Sequence, residues 1–106
     1  MVRSDAIKKI KAFIEMLISN GIPVEQAFLY GSFARNEANE LSDIDVLLVS
    51  DKIRERNLKI VGKIYRLAYS VDYRIEPFLV SKKKFLKDQT SVIIDAVRKE
   101  GIEIKA

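Results

Sequence analysis

The sequence predicts an α/β (α+β) fold, a small mixed sheet of about three to four strands packed with helices. Three observations lead there. Ile7, Ile10, Phe13, Ile14, Leu17 and Ile18 recur at helical spacing and make one wide apolar face. Two short apolar strand patterns, Glu25 to Tyr30 and Ser42 to Ser50, are separated by a Gly-Ser break. A long helical pattern then leads into a third strand pattern, Val71 to Val80.

Each element has its own signals. Ser4 or Asp5 can cap the first helix, which ends at Asn20-Gly21 with Pro23 beyond. Glu25 to Tyr30 is the first strand, and Gly31 breaks it. Ser32 to about Glu37 reads as a short helix, and Ala38 to Leu41 as a loop. In the second strand Ile44, Val46 and Leu48 share one face. Asp43 and Asp45 share the other, which Leu47 and Val49 continue, so both faces should be covered. Lys52 to Ser70 reads as a long helix burying Leu58, Val61, Ile64, Tyr65 and Ala68 and wetting Lys59, Lys63 and Arg66. Pro77 places the third strand at a sheet edge or marks an irregularity. Ser81 can cap a helical turn over Lys82 to Lys87. Thr90 or Ser91 can cap a final helix to Glu100, with Ile93, Ile94 and Val97 inward and Gly101 closing it. Ile102 and Ile104 alternate with charges, which allows a short terminal strand.

Composition narrows the function classes. The 106 residues suffice for one domain, 1–106, with one core. The formal charge of +4 suits a phosphate-bearing ligand and is too mild to indicate a nucleic-acid binder. With no cysteine there is neither a disulfide framework nor a zinc-thiolate site. With no histidine there is no imidazole base and no Ser/His/Asp catalysis. No apolar run reaches the length of a membrane span or signal peptide, so a cytoplasmic protein is expected.

The chemistry concentrates in Leu29-Tyr30-Gly31-Ser32-Phe33-Ala34-Arg35-Asn36 and Ser42-Asp43-Ile44-Asp45-Val46. A strand that stops at glycine and turns into a helix start points backbone N–H groups outward, a ready anion site. Asp43 and Asp45 project from one strand face about 7 Å apart. A carboxylate set between Ile44 and Val46 is costly to bury unless paired or metal-bound. Two hard oxygen ligands beside a phosphate cradle suit divalent-metal nucleotide chemistry.

These motifs resemble the nucleotidyltransferase superfamily that includes DNA polymerase β and kanamycin nucleotidyltransferase. Gly-Ser-Phe-Ala-Arg followed by Leu-Ser-Asp-Ile-Asp-Val is most similar to the minimal nucleotidyltransferases of bacteria and archaea, over nearly the whole chain. Asn36 stands where that family usually has glycine, and asparagine tolerates the left-handed backbone such a turn needs. The resemblance implies a nucleotidyltransferase-like fold in which Gly31 and Ser32 hold the β- and γ-phosphates and Asp43 and Asp45 bind one or two Mg²⁺. It also implies a third carboxylate on a neighbouring strand, serving the second metal and acting as base toward the nucleophile. Glu76 is the preferred candidate and Asp72 the alternative, four residues apart in one strand pattern.

Other residues have two readings. Arg35 lies one helical turn past Ser32 and can fork onto a phosphate, or pair with Glu37 or Glu40 at the surface. Lys82, Lys83, Lys84 and Lys87 can contact RNA, DNA or an acidic partner, or simply solvate a helix start, and Phe85 alone makes no stacking platform. Tyr30 and Tyr73 can stack on a base or accept AMP, although packing is the simpler reading.

The expected activity is Mg-dependent transfer of a nucleoside monophosphate, AMP from ATP in the first instance, to a hydroxyl. The resemblance implies a separate helical protein of the HEPN type as partner, a tyrosine of it as acceptor, and an antitoxin role. The rival is a non-catalytic antitoxin or regulatory subunit that acts by binding its partner, and a homodimer through an edge strand near Pro77 is a further option.

Overall fold

The computed structural model describes residues 1–51 and 57–105. The elements run α1 (Arg3–Ser19), β1 (Gln26–Tyr30), β2 (Ile44–Val49), α2 (Leu58–Val71), β3 (Ile75–Val80), α3 (Lys82–Lys87), α4 (Val92–Glu100) and β4 (Ile102–Glu103). The strands form one mixed sheet in the order β3-β2-β1-β4. β1 is antiparallel to β2 and β4, whereas β2 and β3 are parallel. Parallel neighbours need a crossover, and α2 lies in it.

The alternation in β2 distributes its side chains as expected. Ile44, Val46 and Leu48 join Ile10, Phe13 and Leu17 of α1 and Ile64 and Ala68 of α2 in the larger core. Leu47 and Val49 face the other way, into a smaller cluster with Val80, Ile94, Val97 and Tyr30. Each fully buried aliphatic side chain contributes about 1.5–3 kcal/mol, so a central strand covered on both faces anchors whatever lies at its ends. Phe33 and Ala34, from the turn after β1, also enter the larger core. That burial ties the Gly-Ser turn to α1 and the sheet.

Several boundaries differ from expectation. Val2, not Ser4 or Asp5, caps α1; Asp5 lies in the first turn, and its carboxylate accepts the Val2 N–H at 3.2 Å. Ile18 falls off the packed stripe and is exposed. Ser32 to Glu37 is a hydrogen-bonded turn rather than a helix, because Asn36 takes a positive φ of 61° and stops it. The start of the long helix expected from Lys52 lies outside the described residues; α2 begins at Leu58, where the Asn57 side chain accepts the Ile60 N–H. Leu58 is exposed, one turn short of the core. α2 also continues to Val71, so β3 starts only at Ile75.

Other expectations hold. Gly21 ends α1 with φ 75°. Pro77 lies on an edge strand, where its missing N–H costs least. Ser81 and Ser91 cap α3 and α4. Gly101 caps α4 with φ −66°, so handedness does not require glycine there; a Cβ would run into the Val97 carbonyl. Among the described residues no helix is long and apolar enough to cross a membrane.

Candidate active site

Three neighbouring strands bring Tyr30, Asp45 and Glu76 into one row. Tyr30 is the register partner of Asp45 across the antiparallel pair. Asp45 is the register partner of Glu76 across the parallel pair. Register partners share a sheet face on strands about 4.8 Å apart, so the three side chains rise side by side. This face of β2 is otherwise apolar, with Leu47 and Val49 buried behind Asp45. Asp43 comes two residues earlier, just outside β2, and is exposed.

The turn after β1 closes the other wall. Gly31 has φ 79°, which side-chain-bearing residues rarely adopt. A Cβ at Gly31 would also run into the Asp45 carboxylate. The glycine therefore serves both the turn and the close approach of backbone to carboxylate. The Gly31 and Ser32 carbonyls accept from the N–H groups of Arg35 and Glu37 at 3.1 and 2.8 Å. This is one helical turn that does not continue, and its first N–H groups lack acceptors within the turn, as at any helix start. Arg3 of α1 holds the turn from below, donating from Nη1 to the Ala34 carbonyl at 3.0 Å. We expect Gly31→Ala to lower stability by about 2 kcal/mol or more, through backbone strain and the clash; thermal melts check this.

Electrostatics single out Asp45. Its carboxyl is pushed up to about 6, first by burial, then by the charges of Asp43 and Glu76, with Arg35 pulling weakly the other way. The Tyr30 hydroxyl is pushed far up by burial and by Asp45 and Glu76. The Tyr65 hydroxyl, from α2, is also raised by burial and by Glu76. A row of side chains that holds excess negative charge, with little cation beside it, suits a positive ligand.

Asp72 is engaged elsewhere. Its carboxylate accepts two bonds from the Arg74 guanidinium at 2.9 and 3.0 Å and one from the Arg74 backbone N–H at 2.9 Å. Lys9 reaches it at 3.0 Å. The Arg74 bonds, supported by Lys9 and opposed only by burial, hold its carboxyl far below the usual range. The four-residue spacing does not align Asp72 with Glu76, because Asp72 terminates α2 and precedes β3. Asp72→Ala should cost about 2–4 kcal/mol, since it leaves Arg74 half-buried without its partner. This carboxylate's contribution is present above the unfolded value near 3.8 and is lost as pH falls through its depressed native value. The gap between wild type and variant in denaturant melts should therefore be smaller at pH 3 than at pH 7, and should close only below the depressed native value.

Arg35 pairs with Glu37 at 3.2 Å and with Glu100 of α4 at 3.0 Å, not with Glu40. Its side chain is 44% exposed, so these pairs are weak holds. The α3 lysines are exposed, and Phe85 stacks on Phe28 at 5.1 Å rather than offering its face to a base. Tyr73 is exposed and lies over Arg74, 5.6 Å from guanidinium carbon to ring centre. The sequence reading missed Tyr65, placed there in the core. Its hydroxyl lies 3.1 Å from the Pro77 carbonyl and 3.5 Å from Glu76 Oε1. The available signal was a tyrosine where phenylalanine would pack as well.

The structure is similar to a crystal structure from Sulfolobus solfataricus, provisionally named a nucleotidyltransferase, with a TM-score of 0.62 at 22% identity, covering 95% of this chain and 80% of that one. At sequence level the chain matches the family described as "Nucleotidyltransferase domain" over residues 7–105. It is also 31% identical over 102 residues to a protein of Methanocaldococcus jannaschii provisionally named a protein adenylyltransferase, a match that takes in 94% of this chain and 96% of that protein. The chain belongs to the nucleotidyltransferase family and is a transferase of the nucleotidyl-transferring type.

Proposed function

We propose that the chain, acting as one domain, binds a nucleoside triphosphate, ATP in the first instance, with one or two Mg²⁺, and transfers the nucleoside monophosphate to a hydroxyl with release of pyrophosphate. The observation that carries this reading is the register row of Asp45 and Glu76 with Gly31 fitted against the Asp45 carboxylate.

The donor set fits the ion. Asp43, Asp45 and Glu76 offer hard carboxylate oxygens, the kind Mg²⁺ prefers. Burial and the neighbouring charges of Asp43 and Glu76 disfavour ionised Asp45, and a divalent ion would relieve both. Among the described residues no three such donors already converge on one point, but Asp43 and Glu76 are exposed side chains with room to turn. When bound, Mg²⁺ neutralises triphosphate charge and lowers the pKa of an attacking hydroxyl. Asp45, half-buried on the central strand, is the anchoring ligand and the exposed Asp43 its companion. Gly31 and Ser32 cradle the outer phosphates through N–H groups and the Ser32 hydroxyl. Arg35 exchanges its surface carboxylates for a phosphate. Glu76, beside Asp45, takes the proton of the acceptor hydroxyl.

The acceptor on this reading is a protein hydroxyl. The name of the M. jannaschii relative supports it, and the resemblance supplies the finer expectation of a tyrosine on a helical HEPN-type partner silenced by AMP, an antitoxin role. Incubation of the two proteins with α-labelled ATP and Mg²⁺ tests this. Label on the partner's tyrosine, with stoichiometric pyrophosphate and none with Asp45→Asn, is the expected result. Silencing of the partner without label, undiminished in Asp45→Asn, would instead establish the binding module.

A further inference from the structure

Tyr65 is the hydroxyl-bearing side chain placed against the carboxylate to which the proposed reaction assigns the base role. Its Oη lies 3.5 Å from Glu76 Oε1, at the long limit of a hydrogen bond, and 3.1 Å from the Pro77 carbonyl. Its ring is held edge-on to Tyr69, with centroids 6.1 Å apart. Glu76 is in register with Asp45. An acceptor hydroxyl must approach this same point to give its proton to Glu76. The other tyrosines are placed less well. Tyr30 is buried, while Tyr69 and Tyr73 are exposed and turn to Tyr65 and Arg74 respectively.

We propose that Tyr65 is an internal acceptor, and that the protein adenylylates itself there when no other acceptor occupies the site. This rests on the nucleotidyltransferase reading of the preceding section. The Tyr65 oxygen attacks the α-phosphorus of ATP and forms a phosphodiester. The bond from that phosphorus to the bridging oxygen breaks, and pyrophosphate leaves with the electron pair. The phenolic proton passes to Glu76 and then to water. The product carries AMP over the acceptor position, so the modification is limited to one group per chain and blocks transfer to other hydroxyls. Loss of the Tyr65 contact to the Pro77 carbonyl is the structural cost, met at an edge strand without moving the core.

The test is intact-mass and peptide-mapping analysis of the purified protein after incubation with ATP and Mg²⁺, alongside calorimetric titration of the same preparation. One adenylyl group on the peptide containing Tyr65 is expected. It should be absent in Tyr65→Phe and retained in Tyr69→Phe and Tyr73→Phe. Mapping the wild type needs no variant to fold. ATP binding without adenylylation of Tyr65, or adenylylation at another residue, overturns this inference and leaves the nucleotidyltransferase reading standing. Absence of ATP binding overturns both.

Discussion

Asp45→Asn should make the protein more stable and inactive at the same time. The sign follows from the raised carboxyl. A native value of about 6 against 3.8 in the unfolded chain means that ionisation is penalised by folding. Stability is therefore lost as pH rises from about 4 to about 6, and the loss is complete at neutral pH. Asparagine removes the charge and keeps the shape. At pH 7.5 without metal the variant should gain about 1 kcal/mol, or ~4–8 °C in melting temperature for a domain of this size. Addition of Mg²⁺ and ATP should raise the wild-type melting temperature and leave that of the variant unchanged. Transfer should fall by about a thousandfold or more, since a lost metal ligand removes several kcal/mol of charge stabilisation. The same logic gives a pH profile. Metal-dependent nucleotide binding should strengthen as pH rises through about 6, because the ion competes with the proton for Asp45. A variant that melts below wild type at neutral pH would show that Asp45 is held by partners rather than strained by neighbours.

The second large effect belongs to Glu76. If it takes the proton from the acceptor, Glu76→Gln should lower kcat by about 10²–10⁴-fold while ATP binding changes little. Its neutral side chain also removes one of the charges that raise Asp45, so the pH midpoint for metal binding should move down. Asp72→Asn is the informative contrast. It should weaken the fold, through Arg74 and Lys9, and leave the rate per folded molecule close to wild type. Reversal of the two results, with Asp72 governing the rate and Glu76 only the stability, would assign the third carboxylate to Asp72.

Much of this site could be read in the chain because its signals are local. Gly31 and Asn36 announce a turn that needs positive φ, and both adopt it. The alternation from Ile44 to Val49 places one aspartate among buried residues, and the two cores confirm which face it shares. The choice between Asp72 and Glu76 was less legible. It depends on where α2 ends, and no glycine or proline marks that point; the Arg74 and Lys9 contacts that occupy Asp72 come from the next turn and from another helix. The same limit explains Ile18 and Leu58. Apolar periodicity extends past the contact between α1, α2 and the sheet, and only packing shows where that contact stops. Tyr65 was hidden for the opposite reason. Its ring obeys the core pattern of α2, and its hydroxyl gains meaning only when β3 lies beneath it.

The most direct test of the central claim is calorimetric titration with ATP, with and without Mg²⁺, of wild type and Asp45→Asn. Binding that requires Mg²⁺, reports one site per chain and vanishes in the variant is the result predicted here. Wild-type binding of equal strength without Mg²⁺ or with Asp45→Asn would contradict it, because the nucleotide would then be held without the carboxylate around which the turn, the three-strand row and the charge of the site are arranged.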